Sequence, residues 1–215
     1  MFEITNINDQ LLGYGALKND LLFHKIPKDK YAYYINESLK IGKQKAQSLK
    51  QYSVEQLCQQ NNITIEYAKQ EGKFYGVQFR ANIELSDQEK KIILYKDSLD
   101  EIVKASQKFL DKNITIEDVI HIHLAHELFH FYEYIDKLPT NENLDSIVRM
   151  KIGPKKMYAT VMATCEIAAH AFAKELLSLD VLPNLFDYFL LIDQQELSVN
   201  QFQDLLQQWK KDIGE

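Results

Sequence analysis

With 215 residues, 46% hydrophobic and 26% charged, the chain can bury one sizeable core and is too balanced in composition for wholesale disorder. A net charge of −6, with Arg80 and Arg149 as the only arginines and no basic block, argues against direct nucleic-acid binding. No apolar run approaches the roughly 18 residues of a membrane span, no secretory leader is visible in MFEITNINDQLLGYG, and Cys58 and Cys165 cannot make a disulfide framework, so a cytoplasmic protein with no membrane partner is expected.

Residues 1–27 read as irregular apart from a short helix within Leu11–Leu22. From Pro27 onward, DKYAYYINESLKIGKQKAQSLKQY reads as one long helix with Ile35, Leu39, Ile41, Ala46 and Leu49 as a loose apolar stripe. The aromatics Tyr31, Tyr33 and Tyr34 read as packing residues. Ser53 stands where an N-cap is wanted and opens a short helix ending near Asn61-Asn62. Period-two alternation then predicts three strands of one small sheet, at 63–68, 77–85 and 90–96. Gly72 and Gly76 mark the first turn, and Ser86-Asp-Gln-Glu the second.

Ser98-Leu-Asp-Glu has the spacing of a capping box and predicts a helix to about Lys112; Thr115-Ile-Glu-Asp opens the next in the same way, to about Asp136. After LPTNEN and a short helix, Lys155–Leu179 reads as one long helix, and 184–194 and 198–212 as two more. Helices flanking a small sheet make the chain α+β, a single domain with an N-terminal helical part (1–60), a middle part with the sheet (61–180) and closing helices (181–215).

Chemistry concentrates in Ile120-His-Ile-His-Leu-Ala-His-Glu-Leu-Phe-His-Phe-Tyr, which holds His126-Glu127-x-x-His130 within a predicted helix. Residues four apart lie about 40° apart around a helix axis, so both imidazoles project to one side, at a separation that suits two nitrogens about 2.1 Å from one zinc. Glu127, about 100° round from His126, can reach a water activated by the metal without ligating the ion itself. This is the HExxH arrangement, in which the glutamate takes the proton of that water. Glu127 among Ile122, Leu124, Ala125, Leu128 and Phe129 would be costly to bury without such a partner.

Zinc needs a third protein ligand, and Thr164-Cys-Glu-Ile-Ala-Ala-His-Ala-Phe-Ala-Lys-Glu-Leu-Leu offers two, Glu166 and His170 one turn on. Ala168, Ala169, Ala171 and Ala173 would let this helix approach the His126 helix. Glu166 is favoured because its stretch is apolar on nearly every face, where an unpaired carboxylate would be a costly buried charge. His123 shares the face of His126, but three histidines over two turns cannot converge on one ion, so it reads as a supporting or core residue. His121 points elsewhere, Cys165 and Cys58 read as core thiols, and Glu133 and Asp136 as solvent-facing charges. Tyr158, two turns before Glu166 in the predicted helix, is a candidate phenol for the transition state.

HELFH followed by E-I-A-A-H-A-F-A-K-E-L-L resembles the ImmA/IrrE family of metallopeptidases, which joins HExxH to a downstream E-x-x-A-N-x-F-A-x-x-L-L helix. His170 stands where the family has asparagine and Phe129 where glycine is common. The resemblance implies a predominantly helical, zincin-like fold with the small sheet packed beside the HExxH helix. It implies Zn²⁺ held by His126, His130 and Glu166, with Glu127 as catalytic base. The implied activity is that of a zinc-dependent endopeptidase acting on a peptide or protein substrate such as a transcriptional repressor. Lys91–Lys96 is a candidate edge strand for aligning the peptide. The alternative is a regulatory or interaction protein that retains the metal site but turns over little.

Overall fold

The computed structural model describes residues 7–68, 73–74, 77–86, 88–110 and 113–214. Helix α1 (Asp9–Lys18) is capped by the Asn8 side chain, and α2 (Tyr31–Leu49) and α3 (Val54–Gln60) follow. Ser53 caps α3 in a reciprocal box with Gln56. The strands are β1 (Thr64–Tyr67), β2 (Lys73–Phe74), β3 (Val77–Gln78), β4 (Ala81–Leu85) and β5 (Lys90–Leu94). Then come α4 (Lys96–Ser106), α5 (Ile116–Asp136), α6 (Thr140–Asn143), β6 (Ile147–Ile152), β7 (Lys155–Ala159), α7 (Ala163–Leu177), α8 (Leu185–Asp193) and α9 (Val199–Ile213). The class is α+β, helices dominant. None of the described helices is long and apolar enough to cross a membrane.

The three-stranded sheet has the order β1-β5-β4, with β1 parallel and β4 antiparallel to β5. Ile92 and Leu94 of β5 are buried, and β4 and β5 pack against α5. On the other side, α5 packs on α7, which packs on α2. Gly42 makes the α2–α7 approach possible: a Cβ there would lie 2.0 Å from the Ala168 carbonyl oxygen. The backbone of α7 at Ala168 and Phe172 is thus set directly against α2. Tyr31 and Tyr34 are buried, as packing residues should be.

Several expectations are corrected. The strand ending near Lys96 is no edge: β5 is paired on both sides, and the edges are β1 and β4. The segment 77–85 is not one strand, because β3 pairs with β2 in a separate hairpin before β4 begins. The turn expected at Gly72 and Gly76 lies outside the described residues, whereas Ser86 closes the second turn by hydrogen-bonding Glu89. Ser98 caps nothing. Helix α4 starts three residues earlier, at Lys96, and Ser98 sits buried inside it beside the Gln78 amide.

The largest correction is at 155–179. The first residues there form β7, which pairs with β6 in a hairpin turning at Gly153, whose φ of +58° suits glycine, and Pro154. The helix proper begins at Ala163. Tyr158 therefore lies on an exposed strand, not one helical face with Glu166, and its proposed catalytic role falls.

Candidate metal centre

The site is built where α5 meets the first turn of α7. A capping box between Thr115 and Asp118 fixes the start of α5, and Leu124, Ala125, Leu128 and Phe129 bury its core side. His126 and His130, one turn apart, then share a face turned toward α7. Glu166 sits in the first turn of α7, where the helix dipole favours a carboxylate.

Three residues converge. His130 Nε2 lies 3.2 Å from His126 Nε2, His126 Nε2 lies 3.2 Å from Glu166 Oε2, and His130 Nε2 lies 3.5 Å from Glu166 Oε1. A tetrahedral ion with ligands at about 2.0–2.1 Å requires ligand atoms about 3.3 Å apart. The two Nε2 atoms have the spacing such an ion needs, and each has a Glu166 oxygen at a similar distance, Oε2 beside His126 and Oε1 beside His130, so the donors are two imidazoles and a carboxylate. One premise fails, however: the Glu166 side chain is 54% exposed, so it is not a carboxylate forced into the core. The His126 hydrogen bond and the charges of His126, His130 and His170 outweigh partial burial and hold its carboxyl well below the usual range.

Glu133 is not the solvent-facing charge expected from its place in the sequence. Its side chain is 10% exposed; Oε2 accepts from His130 Nδ1 at 3.0 Å and Oε1 accepts from the Thr140 backbone N–H at 2.7 Å. With Nδ1 donating, the Nε2 lone pair of His130 faces His126 and Glu166. Burial disfavours the His130 imidazolium, but the Glu133 hydrogen bond and the charges of Glu166, Glu127 and Glu133 outweigh it. A glutamate three residues after a histidine on one helix face was the available signal. Asp136, by contrast, pairs with Lys45 at the surface. Glu127 is half-buried, and its charge reaches His130.

His123, His121 and His170 are not among the three converging ligand groups. His123 Nδ1 donates to the Val119 carbonyl at 2.8 Å, and burial pushes its pKa down to about 3. His121 pairs with Glu55. The His170 ring lies 4.7 Å from the His126 ring, and its buried Nδ1 has no hydrogen-bond partner among the described residues. Burial pushes the thiols of Cys58 and Cys165 up, to about 11 and about 12, which suits inert core thiols.

His130, Glu133, Glu166 and His170 also line a cleft of 1510 Å³. Leu21, Tyr134, Ile135 and Met162 give it an exposed apolar lining. Asp187 of α8 joins that lining and pairs with Arg80, which precedes β4, at 2.9 Å. Nothing in the sequence spacing relates Arg80 to Asp187, and only the fold brings them together. No family model, curated protein or solved structure matches the chain.

Proposed function

We propose that the protein is a zinc-dependent endopeptidase of zincin-like build, with His126, His130 and Glu166 as metal ligands and Glu127 as the base. The single observation that carries this reading is the convergence of the two histidines of an HExxH helix with a carboxylate from a second helix: the two Nε2 atoms lie 3.2 Å apart, and Glu166 sets Oε2 3.2 Å from His126 and Oε1 3.5 Å from His130. The resemblance of the two motifs to the ImmA/IrrE metallopeptidases supports the same ligand set. Zinc bound there would supply a Lewis acid that polarises a peptide carbonyl and acidifies water.

The chain's own residues do the rest. Glu133 holds the His130 ring in the tautomer whose Nε2 is free to ligate. The Glu127 carboxylate takes a proton from the attacking water and delivers it to the leaving amine nitrogen. The cleft, apolar along Leu21, Tyr134, Ile135 and Met162, receives the polypeptide.

The test is proteolysis of an unfolded protein substrate by the zinc-loaded protein and its Glu127→Gln variant. The reading expects cleavage that falls about 10²- to 10⁴-fold in the variant while zinc content stays equal. Zinc bound equally by both with no cleavage by either would support instead a metal-holding regulatory protein.

A further inference from the structure

The β6–β7 hairpin is exposed from Arg149 to Tyr158. Met150 pairs with Met157 and Ile152 with Lys155, which places these four on one face, continuing from the buried Ile147. Met150, Ile152 and Met157 are 45%, 59% and 46% exposed. Lys151 and Lys156 pair on the opposite face. Between Ile147 and Ala159 the chain carries Arg149, Lys151, Lys155 and Lys156 and no acidic residue, in a protein of net charge −6. None of these four cations has an ion-pair partner among the described residues.

A two-stranded ribbon with an open apolar face and two unpaired edges is only marginally stable in water. Its feet, however, are anchored. Tyr34 donates to the Asp145 carbonyl at 2.7 Å, Lys30 pairs with the Asp145 carboxylate at 2.8 Å, and Asn141 donates to Thr160 at 2.8 Å. Asn141, Arg149, Thr160 and Met162 line the cleft, so the ribbon rises from the cleft's own wall.

The geometry points to this hairpin as a docking arm for an extended segment of a protein substrate that alternates acidic and apolar side chains. The segment adds along a free strand edge, its apolar side chains cover Met150, Ile152 and Met157, and its carboxylates meet Lys151 and Lys156 on the opposite face, with Arg149 and Lys155 adding to the positive field of the arm. A second copy of this chain meeting the first hairpin to hairpin would set four cations against four, which opposes that occupant. The inference rests on the proposed peptidase reading only for where the bound segment leads, which is into the cleft beside Glu166.

Binding is measured by fluorescence anisotropy on the full chain carrying Glu127→Gln, with and without zinc. The probe is a labelled peptide of about a dozen residues alternating Glu with Val, beside its counterpart with Lys for Glu. The acidic peptide is expected to bind at least about tenfold tighter than the lysine peptide, with a preference that shrinks in high salt and is independent of zinc. Reversing all four cations to glutamate should invert the preference, and Ile152→Ser with Met157→Ser should weaken acidic-peptide binding about tenfold. If the fourfold variant does not fold by circular dichroism, Lys151→Glu and Lys156→Glu singly should each move the preference the same way. Equal binding of the two peptides, a preference untouched by the charge reversals, or displacement of the acidic peptide by phosphatidylserine vesicles would overturn the proposal. Because no turnover is read, loss of the peptidase reading leaves this result standing, and the converse.

Discussion

Glu133 holds His130 from behind: its carboxylate bridges His130 Nδ1 and the backbone N–H of Thr140, tying a candidate ligand to the start of α6. Replacing Glu133 by Gln leaves an amide that can serve one of these donors with its oxygen but not both. Zinc affinity of Glu133→Gln, measured by competition with a chelator, should fall roughly 10- to 100-fold. Turnover should drop with it while KM changes little. Unchanged affinity would mean that His130 is oriented by its packing alone.

Glu166 and His170 lie one turn apart on α7, but only Glu166 converges with His126 and His130. Glu166→Ala should therefore lower zinc affinity severely, whereas His170→Ala should leave most of the metal bound. The reverse order in a chelator titration would identify a three-histidine centre.

Gly42 faces the Ala168 carbonyl too closely for any side chain. A backbone oxygen inside a helix cannot move aside cheaply, so Gly42→Ala must push α2 away from α7. Thermal or denaturant unfolding should show a loss of about 1–3 kcal/mol or more. Wild-type stability in this variant would contradict the close helix contact that positions α7.

Asp118 completes the cap of α5 by accepting from the Thr115 side chain and backbone, and those hydrogen bonds hold its carboxyl below the usual carboxylate range. A carboxyl with a depressed folded-state pKa stabilises fully above its unfolded value, near 3.9, and the contribution vanishes as pH falls through the lower folded value. Asp118→Asn should cost about 0.3–1 kcal/mol between pH 5 and 7, and the gap should narrow below about pH 4. A gap that persists undiminished at pH 2 would assign the cost to something other than the ionised cap.

Two helices with sequence-visible caps were legible almost to the residue: Thr115 opens α5 and Ser53 opens α3 as expected. HExxH was legible because it needs only one helix and a period of 3.6. The β6–β7 hairpin was not. Its side chains are exposed on both faces, so burial imposes no alternation between Arg149 and Tyr158, and the Gly153-Pro154 turn was the one local mark of it. Ser98 mimicked a cap because capping spacing recurs by chance inside helices, and α4 instead begins at Lys96 without a side-chain cap. The burial expected of Glu166 does not hold, since it stands at a cleft that no local pattern reveals.

The central claim is that His126, His130 and Glu166 form a zinc centre, and the most direct measurement is the metal content of the purified protein beside that of His126→Ala. Removing one of the three converging groups leaves two ligands, too few to retain zinc through purification. The account predicts about one zinc per chain in the wild type and close to none in the variant. Equal and negligible zinc in both proteins, with both folded, would contradict it.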